Sequence, residues 1–142
     1  MSGDVELLNY IYQNSEMGQR TLTQLLGIVK DDVFKRNLES QLNEYREIFD
    51  ISDSKLKEVN KEAKGIGVLT KVSTYVSINL NTLTDKAPSH ISELLIRGST
   101  MGIVDITRNL KRYDDMDKEI VDLGKRLLKF EQRNIEELKK FL

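Results

Sequence analysis

Three acidic side chains, far apart in the sequence, are the best candidates for a functional site. Glu16, Glu44 and Glu131 each fall on or beside the apolar face of a predicted helix, at comparable depth along it. Carboxylates that converge inside a helical bundle bind metal ions. A known arrangement takes one Glu from each of two helices and a Glu-x-x-His pair from each of the other two. These three carboxylates are therefore the candidate ligands of iron or another divalent metal.

The histidines of that arrangement are absent. Glu47 follows Glu44, and Asn134 follows Glu131, at the position where each pair needs a histidine, and a further predicted helix offers Ser99 in place of a carboxylate. Two hypotheses stay open. In one, the carboxylates are hydrogen-bonded or solvated, and the protein has no resident cofactor and no enzymatic activity. In the other, they hold a metal pair or one weakly bound divalent ion.

His90 is the only histidine, and an imidazole has a pKa near neutrality. Ser89 and Ser92 lie beside it, but nucleophilic catalysis would also need an acid that orients the imidazole. All three lie at a predicted helix N-terminus at one end of the bundle, which is a poor cleft. A surface or capping role is therefore favoured.

The segment Gly98-Ser99-Thr100-Met101-Gly102 is rich in small residues. It lacks the Lys-Ser/Thr pair of a phosphate-binding loop and has no strand before it, which excludes that motif. Glycine inside a helix costs about 1 kcal/mol relative to alanine. We interpret these small residues, with Gly18 and Gly27, as places where a crossover helix or a second subunit comes close.

Composition excludes several classes of protein. The formal net charge of −1 gives no electrostatic reason to expect nucleic acid as a partner, and the lack of Cys excludes disulfides and thiolate metal sites. No stretch approaches the apolar length that a membrane span needs. We expect one soluble, cytoplasmic domain over residues 1–142.

Apolar residues spaced three and four positions apart predict long helices. The first runs from residue 4 to about residue 30, with Asp4 or Ser2 as its cap, and the second begins at Val33. The short connection makes this pair an antiparallel hairpin. Gly65 and Gly67 end the second helix, as glycines do just past helix C-termini.

Residues 67–84 keep the same spacing over a shorter length and are interpreted as a short helix, with a strand as the alternative because many of the residues are β-branched. A long helix follows from Pro88 to about residue 113, and the last covers about residues 116–141. The predicted fold is an all-α four-helix bundle. A shorter helix forms its crossover between the second and third long helices.

Three aliphatic residues, Leu7, Val104 and Val121, fall outside the main apolar faces. Either the crossover helix or a second subunit would cover them. We therefore expect a homo-oligomer, with an unknown protein partner as a further possibility and neither nucleic acid nor membrane as a partner.

The chain resembles the ferritin-like superfamily, in particular small uncharacterised bacterial bundle proteins. The resemblance covers nearly the whole chain. It rests on six short segments: Leu7-Leu8, Asn14-Ser15-Glu16-Met17-Gly18, Gln41-x-x-Glu44, Gly65-x-Gly67, Ile78-Asn79-Leu80-Asn81 and Ile96-Arg97-Gly98-Ser99-Thr100. Relatives have acids beside that last Arg-Gly pair and a late His in the final helix. Here these positions hold Ile96, Ser99 and Asn134.

The resemblance implies a ferritin-like bundle. It implies either a non-catalytic interaction or structural protein that has lost a complete di-metal site, or an iron-binding protein with weak ferroxidase activity.

Overall fold

The computed structural model describes residues 2–59, 83–112 and 115–142, and within them every long element is helical. The four α-helices are α1 (Ser2–Leu26), α2 (Asp32–Glu58), α3 (Pro88–Arg112) and α4 (Lys118–Leu138), followed by a 3-10 turn at Lys139–Phe141. The all-α prediction is confirmed for this part of the chain. The predicted short helix at 67–84 lies almost wholly outside it.

Local signals set most helix ends. Asp31 caps α2, because its side chain accepts a 2.8 Å hydrogen bond from the backbone N–H of Phe34. Helix α3 begins at Pro88, as predicted, since a helix's first turn does not need the N–H that proline lacks. Helix α1 ends at Leu26, a few residues earlier than predicted.

Asp4 has a different role from the predicted cap. Helix α1 already begins at Ser2, and the Asp4 carboxylate accepts a 2.9 Å hydrogen bond from the backbone N–H of Asp117. Asp117 in turn caps α4 through its own side chain. The start of α4 is thereby held against the first turn of α1.

Contacts between residues of different helices show which helices run antiparallel. Helices α1 and α2 pack along their length, as do α3 and α4, and α1 also contacts α3 and α4 while α2 contacts α4. Lys55 pairs with Glu119, Tyr45 with Glu131 and Phe34 with Phe141, so that α2 and α4 are antiparallel. Helices α1 and α3 are antiparallel too, since Tyr10 meets Gly102 and Glu6 meets Arg112.

The core consists mainly of the apolar faces that helical spacing predicts. Leu7, expected outside them, is only 1% exposed and packs beside Gly124, whereas Val59 is 42% exposed. Val104 is exposed, as predicted, and Val121 is half-buried. Among the described helices, none has the length and apolar character needed to cross a bilayer.

Candidate functional site

Glu131 lies at the centre of the bundle, on the inward face of α4, and is fully buried. Its Oε1 accepts a hydrogen bond of 2.5 Å from the hydroxyl of Tyr45 on α2. The ring of Phe130 meets the Tyr45 ring edge-on, with centroids 4.7 Å apart. The apolar face of α2 thus supplies the hydroxyl that satisfies one carboxylate oxygen.

The other oxygen of Glu131, Oε2, has no hydrogen-bond partner among the described residues and lies against Gly102 of α3. A Cβ at residue 102 would overlap this oxygen, so only glycine leaves room for the carboxylate. Gly18 of α1 does the same for Tyr45, because a Cβ there would lie 2.7 Å from three ring atoms. Side chains of this same chain therefore occupy the space above these two glycines.

Asn14 completes the central cluster from α1. It is fully buried, its Nδ2 donates to the Tyr10 hydroxyl at 3.3 Å, and that hydroxyl donates to the carbonyl of Gly102 at 3.4 Å. The Oδ1 of Asn14 has no hydrogen-bond partner in the part of the chain that the structure describes. The Asn14 amide also lies beside Gly102, 3.4 Å from the position a Cβ would take. Two unpaired oxygens, Asn14 Oδ1 and Glu131 Oε2, thus belong to side chains that meet at this glycine.

Burial dominates the electrostatics of Glu131. Removal from water raises the pKa of its carboxyl to about 8, while the hydrogen bond from Tyr45 acts in the opposite direction. At neutral pH the side chain is therefore mainly the uncharged acid. An uncharged acid is a poor metal ligand, and it can act as a base only after it has released its proton.

Glu44 faces away from this centre and pairs with Arg126 of α4. The guanidinium donates to both carboxylate oxygens, at 2.8 and 3.0 Å, and also to Glu47 at 2.9 Å. The hydrogen bonds from Arg126 lower the pKa of Glu44, with a smaller contribution from the charge of Arg133. Glu44 is thus an ion-pair partner that joins α2 to α4.

Glu16 lies half-buried in a third environment, a shallow surface pocket that Phe49 also lines. Its neighbour Tyr12 has a raised pKa, mainly through burial and then through the negative charge of Glu16. The three predicted metal ligands are therefore not brought together.

Within residues 2–59, 83–112 and 115–142, no group of three or more His, Cys, Asp or Glu side chains is placed to hold a metal ion. The predicted set does not fit a metal pair, which needs several carboxylates converging on one point. The metal site stays a prediction, and the described residues provide no converging ligands for it.

Sequence reasoning identified Glu131 but not the groups that surround it. Apolar spacing along the second helix predicts only that Tyr45 faces inward, and Asn14 stands in one of the segments that carry the resemblance. The useful signal was the presence of Gly18 and Gly102 on inward faces, because an inward glycine leaves room for a side chain from a facing helix.

Comparison of the chain with family models, with curated proteins and with solved structures finds no match.

Proposed function

We propose that this chain is a non-catalytic ferritin-like bundle that acts as an interaction or structural protein. One observation carries the proposal: the centre of the bundle is filled by its own side chains. The Tyr45 hydroxyl and Gly102 enclose the carboxyl group of Glu131 there. A catalytic metal site instead keeps charged ligands and an open coordination position at this point.

The directions of the helices support the ferritin-like part of the proposal. Because α1 is antiparallel to α2 and to α3, the C-terminal ends of α2 and α3 lie at the same end of the bundle. The end of α2 at Glu58 and the start of α3 at Pro88 therefore lie at opposite ends of the bundle. A long crossover in the middle of the chain is the connection used by ferritin-like folds. The predicted short helix at 67–84 belongs to this proposal.

A metal-binding protein is the second candidate, and the two unpaired oxygens at Gly102 favour it. Glu131 Oε2 and Asn14 Oδ1 are hard oxygen donors of the type that divalent cations accept. One carboxyl and one amide are too few for a strong site, and Glu131 would first have to release its proton. A weak single-ion site is the form of this candidate that the residues allow.

Thermal unfolding with and without Fe(II), Mn(II) or Zn(II) separates the two candidates. A ligand that binds only the folded state raises the melting temperature. We expect no rise for the wild type, for Glu131→Gln or for the matched control Glu44→Gln. A rise that is present in the wild type and Glu44→Gln but lost in Glu131→Gln would overturn the proposal in favour of a metal site at the centre.

A further inference from the structure

Two pairs of helices meet at the carboxyl group of Glu131. Helices α1 and α2 pack along their length, as do α3 and α4, and the contacts between these two pairs are less extensive. Glu131 belongs to α4, and its Oε1 accepts the hydrogen bond from Tyr45 of α2. Gly102 of α3 lies against the other oxygen, Oε2, and Asn14 of α1 lies beside the same glycine. All four helices therefore contribute to the surroundings of this carboxyl group.

The hydrogen bonds of this cluster leave two oxygens unpaired. Glu131 Oε2 and Asn14 Oδ1 are both buried, and neither has a hydrogen-bond partner among the described residues. A buried polar atom without a partner destabilises the folded state. Two acceptors cannot pair with each other, but one proton between them satisfies both.

Glu131 is the group that carries such a proton, because the described part of the core offers no cation to balance a negative charge. Burial raises the pKa of its carboxyl and the hydrogen bond from Tyr45 lowers it, with no contribution from a described Lys or Arg. An ionised carboxylate buried without a cation is far more costly than the neutral acid. Since Oε1 already accepts from Tyr45, the acid proton belongs on Oε2.

The positions of the two side chains allow a hydrogen bond between them. Glu131 Oε2 and Asn14 Nδ2 both lie within 3.4 Å of the point that a Cβ of residue 102 would occupy. Rotation about the last torsion of asparagine, which has broad energy minima, exchanges Nδ2 and Oδ1 and turns Oδ1 towards Oε2. Oδ1 has no donor where it now lies, so the rotation breaks none of its hydrogen bonds. The Tyr10 hydroxyl, 3.3 Å from Nδ2, can donate to an oxygen placed there.

We propose that Glu131 binds a proton on Oε2 and donates it in a hydrogen bond to Oδ1 of Asn14. This bond completes a chain that runs from the Tyr45 hydroxyl of α2 through the carboxyl group of α4 to the amide of α1. The chain fastens the two helix pairs to each other at their centre. It does not depend on the interaction role of the bundle, and it is incompatible with a metal ion on Oε2, which would displace the proton.

Infrared spectroscopy at pH 6 tests the bond directly, because the C=O stretch of a protonated carboxyl lies above the backbone amide band. Asp and Glu side chains with ordinary pKa values are ionised at this pH. We expect a protonated carboxyl band in the wild type and its loss in Glu131→Gln. In Asn14→Leu and in the smaller variant Asn14→Val the band should shift to higher frequency, because the acid O–H has lost its acceptor.

Asn134→Leu is the matched control, since Asn134 is also a buried amide and lies one turn from Glu131 on the inward face of α4. The band should keep its wild-type frequency in this variant. The proposal is overturned if no protonated band depends on Glu131, or if the band stays at its wild-type frequency in both Asn14 variants. A shift in Asn134→Leu alone would also overturn it, because the acceptor would then be the other amide.

Urea unfolding gives a second, independent measurement, and circular dichroism checks that each variant is folded. Glutamine at residue 131 keeps an N–H donor where the acid proton lies, whereas methionine has none. We expect Asn14→Val to raise the equilibrium constant of unfolding by about tenfold in the wild type and in Glu131→Gln, the effect of unpairing a buried donor. In Glu131→Met the effect should be at least about threefold smaller. Equal effects in the three backgrounds would contradict a hydrogen bond between residues 14 and 131.

Discussion

At the scale of single residues, the uncharged form of Glu131 links protonation to stability. The pKa of its carboxyl is about 8 in the folded protein and near its ordinary value of 4.5 in the unfolded chain. Between these values the folded state keeps a proton that the unfolded state has released. Stability from this group is therefore fully present below about pH 4.5 and is lost as the pH rises to about 8.

We accordingly expect the free energy of unfolding of the wild type, relative to Glu131→Gln, to fall between pH 5 and pH 8. A pKa difference of this size corresponds to a decrease on the order of 4 kcal/mol. Urea unfolding followed by circular dichroism at several pH values measures it. Since both proteins share all other titratable groups, a difference that stays constant with pH would contradict the neutral state of Glu131.

Gly102 offers a second test at the residue scale. In Gly102→Ala the new methyl group overlaps Glu131 Oε2, and we expect a loss of about 1–3 kcal/mol in the free energy of unfolding, as for other overpacked cores. Shortening the carboxylate side chain removes the overlap. In a Glu131→Ala background, the same glycine substitution should therefore cost less.

A double-mutant cycle built from urea unfolding curves measures that coupling. If the two substitutions are additive, Gly102 does not make room for the carboxylate. Gly27→Ala is the control that should lower the free energy of unfolding less, because a Cβ there meets only the backbone oxygen of Gln24 at 3.3 Å.

At the scale of elements, Arg126 joins α4 to α2 through Glu44 and Glu47. We expect Arg126→Gln to lower the free energy of unfolding at pH 7 by about 1 kcal/mol, as for other partly exposed ion pairs. The pKa of Glu44 is lowered in the folded state, so this contribution is present above about pH 4.5 and is lost as the pH falls further.

Urea unfolding at pH 7 and pH 3 checks this, and the difference between wild type and Arg126→Gln should shrink at the lower pH. The pair Lys118–Asp122 lies within one turn of α4 and joins no second helix. Lys118→Gln is therefore the control, and an equal loss in it would mean that the contact between helices adds nothing.

At the scale of the whole molecule, exposed aliphatic residues bear on the homo-oligomer that we expect from the sequence. Val104 on α3 is 43% exposed, although single exposed valines are common on monomers. We expect analytical ultracentrifugation to show a dimer or larger species and Val104→Ser to weaken it. A species of 16.4 kDa at every concentration would contradict self-association.

Much of the architecture could be predicted from the sequence, because each helix carries its own pattern. Helical spacing identified most of the buried faces, and Pro88 marked the start of α3. The ends of the helices were predicted less accurately: α2 ends at Glu58, several residues before the glycines that were expected to end it. An apolar residue such as Val59 follows the pattern, but only packing determines whether anything covers it.

The candidate site was predicted only in part, because a helical pattern shows which face a residue lies on but not what it meets. Glu16, Glu44 and Glu131 occupy similar positions on their helices, yet the fold gives them three different environments. Arg126 reaches Glu44 from a helix 82 positions away, which no local spacing reveals.

Local spacing and composition were enough to predict that this protein is helical, where its main apolar faces lie, and that histidines are missing from the expected ligand positions and cysteines from the whole sequence. The enclosure of Glu131 by Tyr45 and Gly102, in contrast, follows only from the way the helices pack. Burial and pairing arise where helices distant in sequence meet, and removal from water at that meeting point makes the carboxyl an uncharged acid.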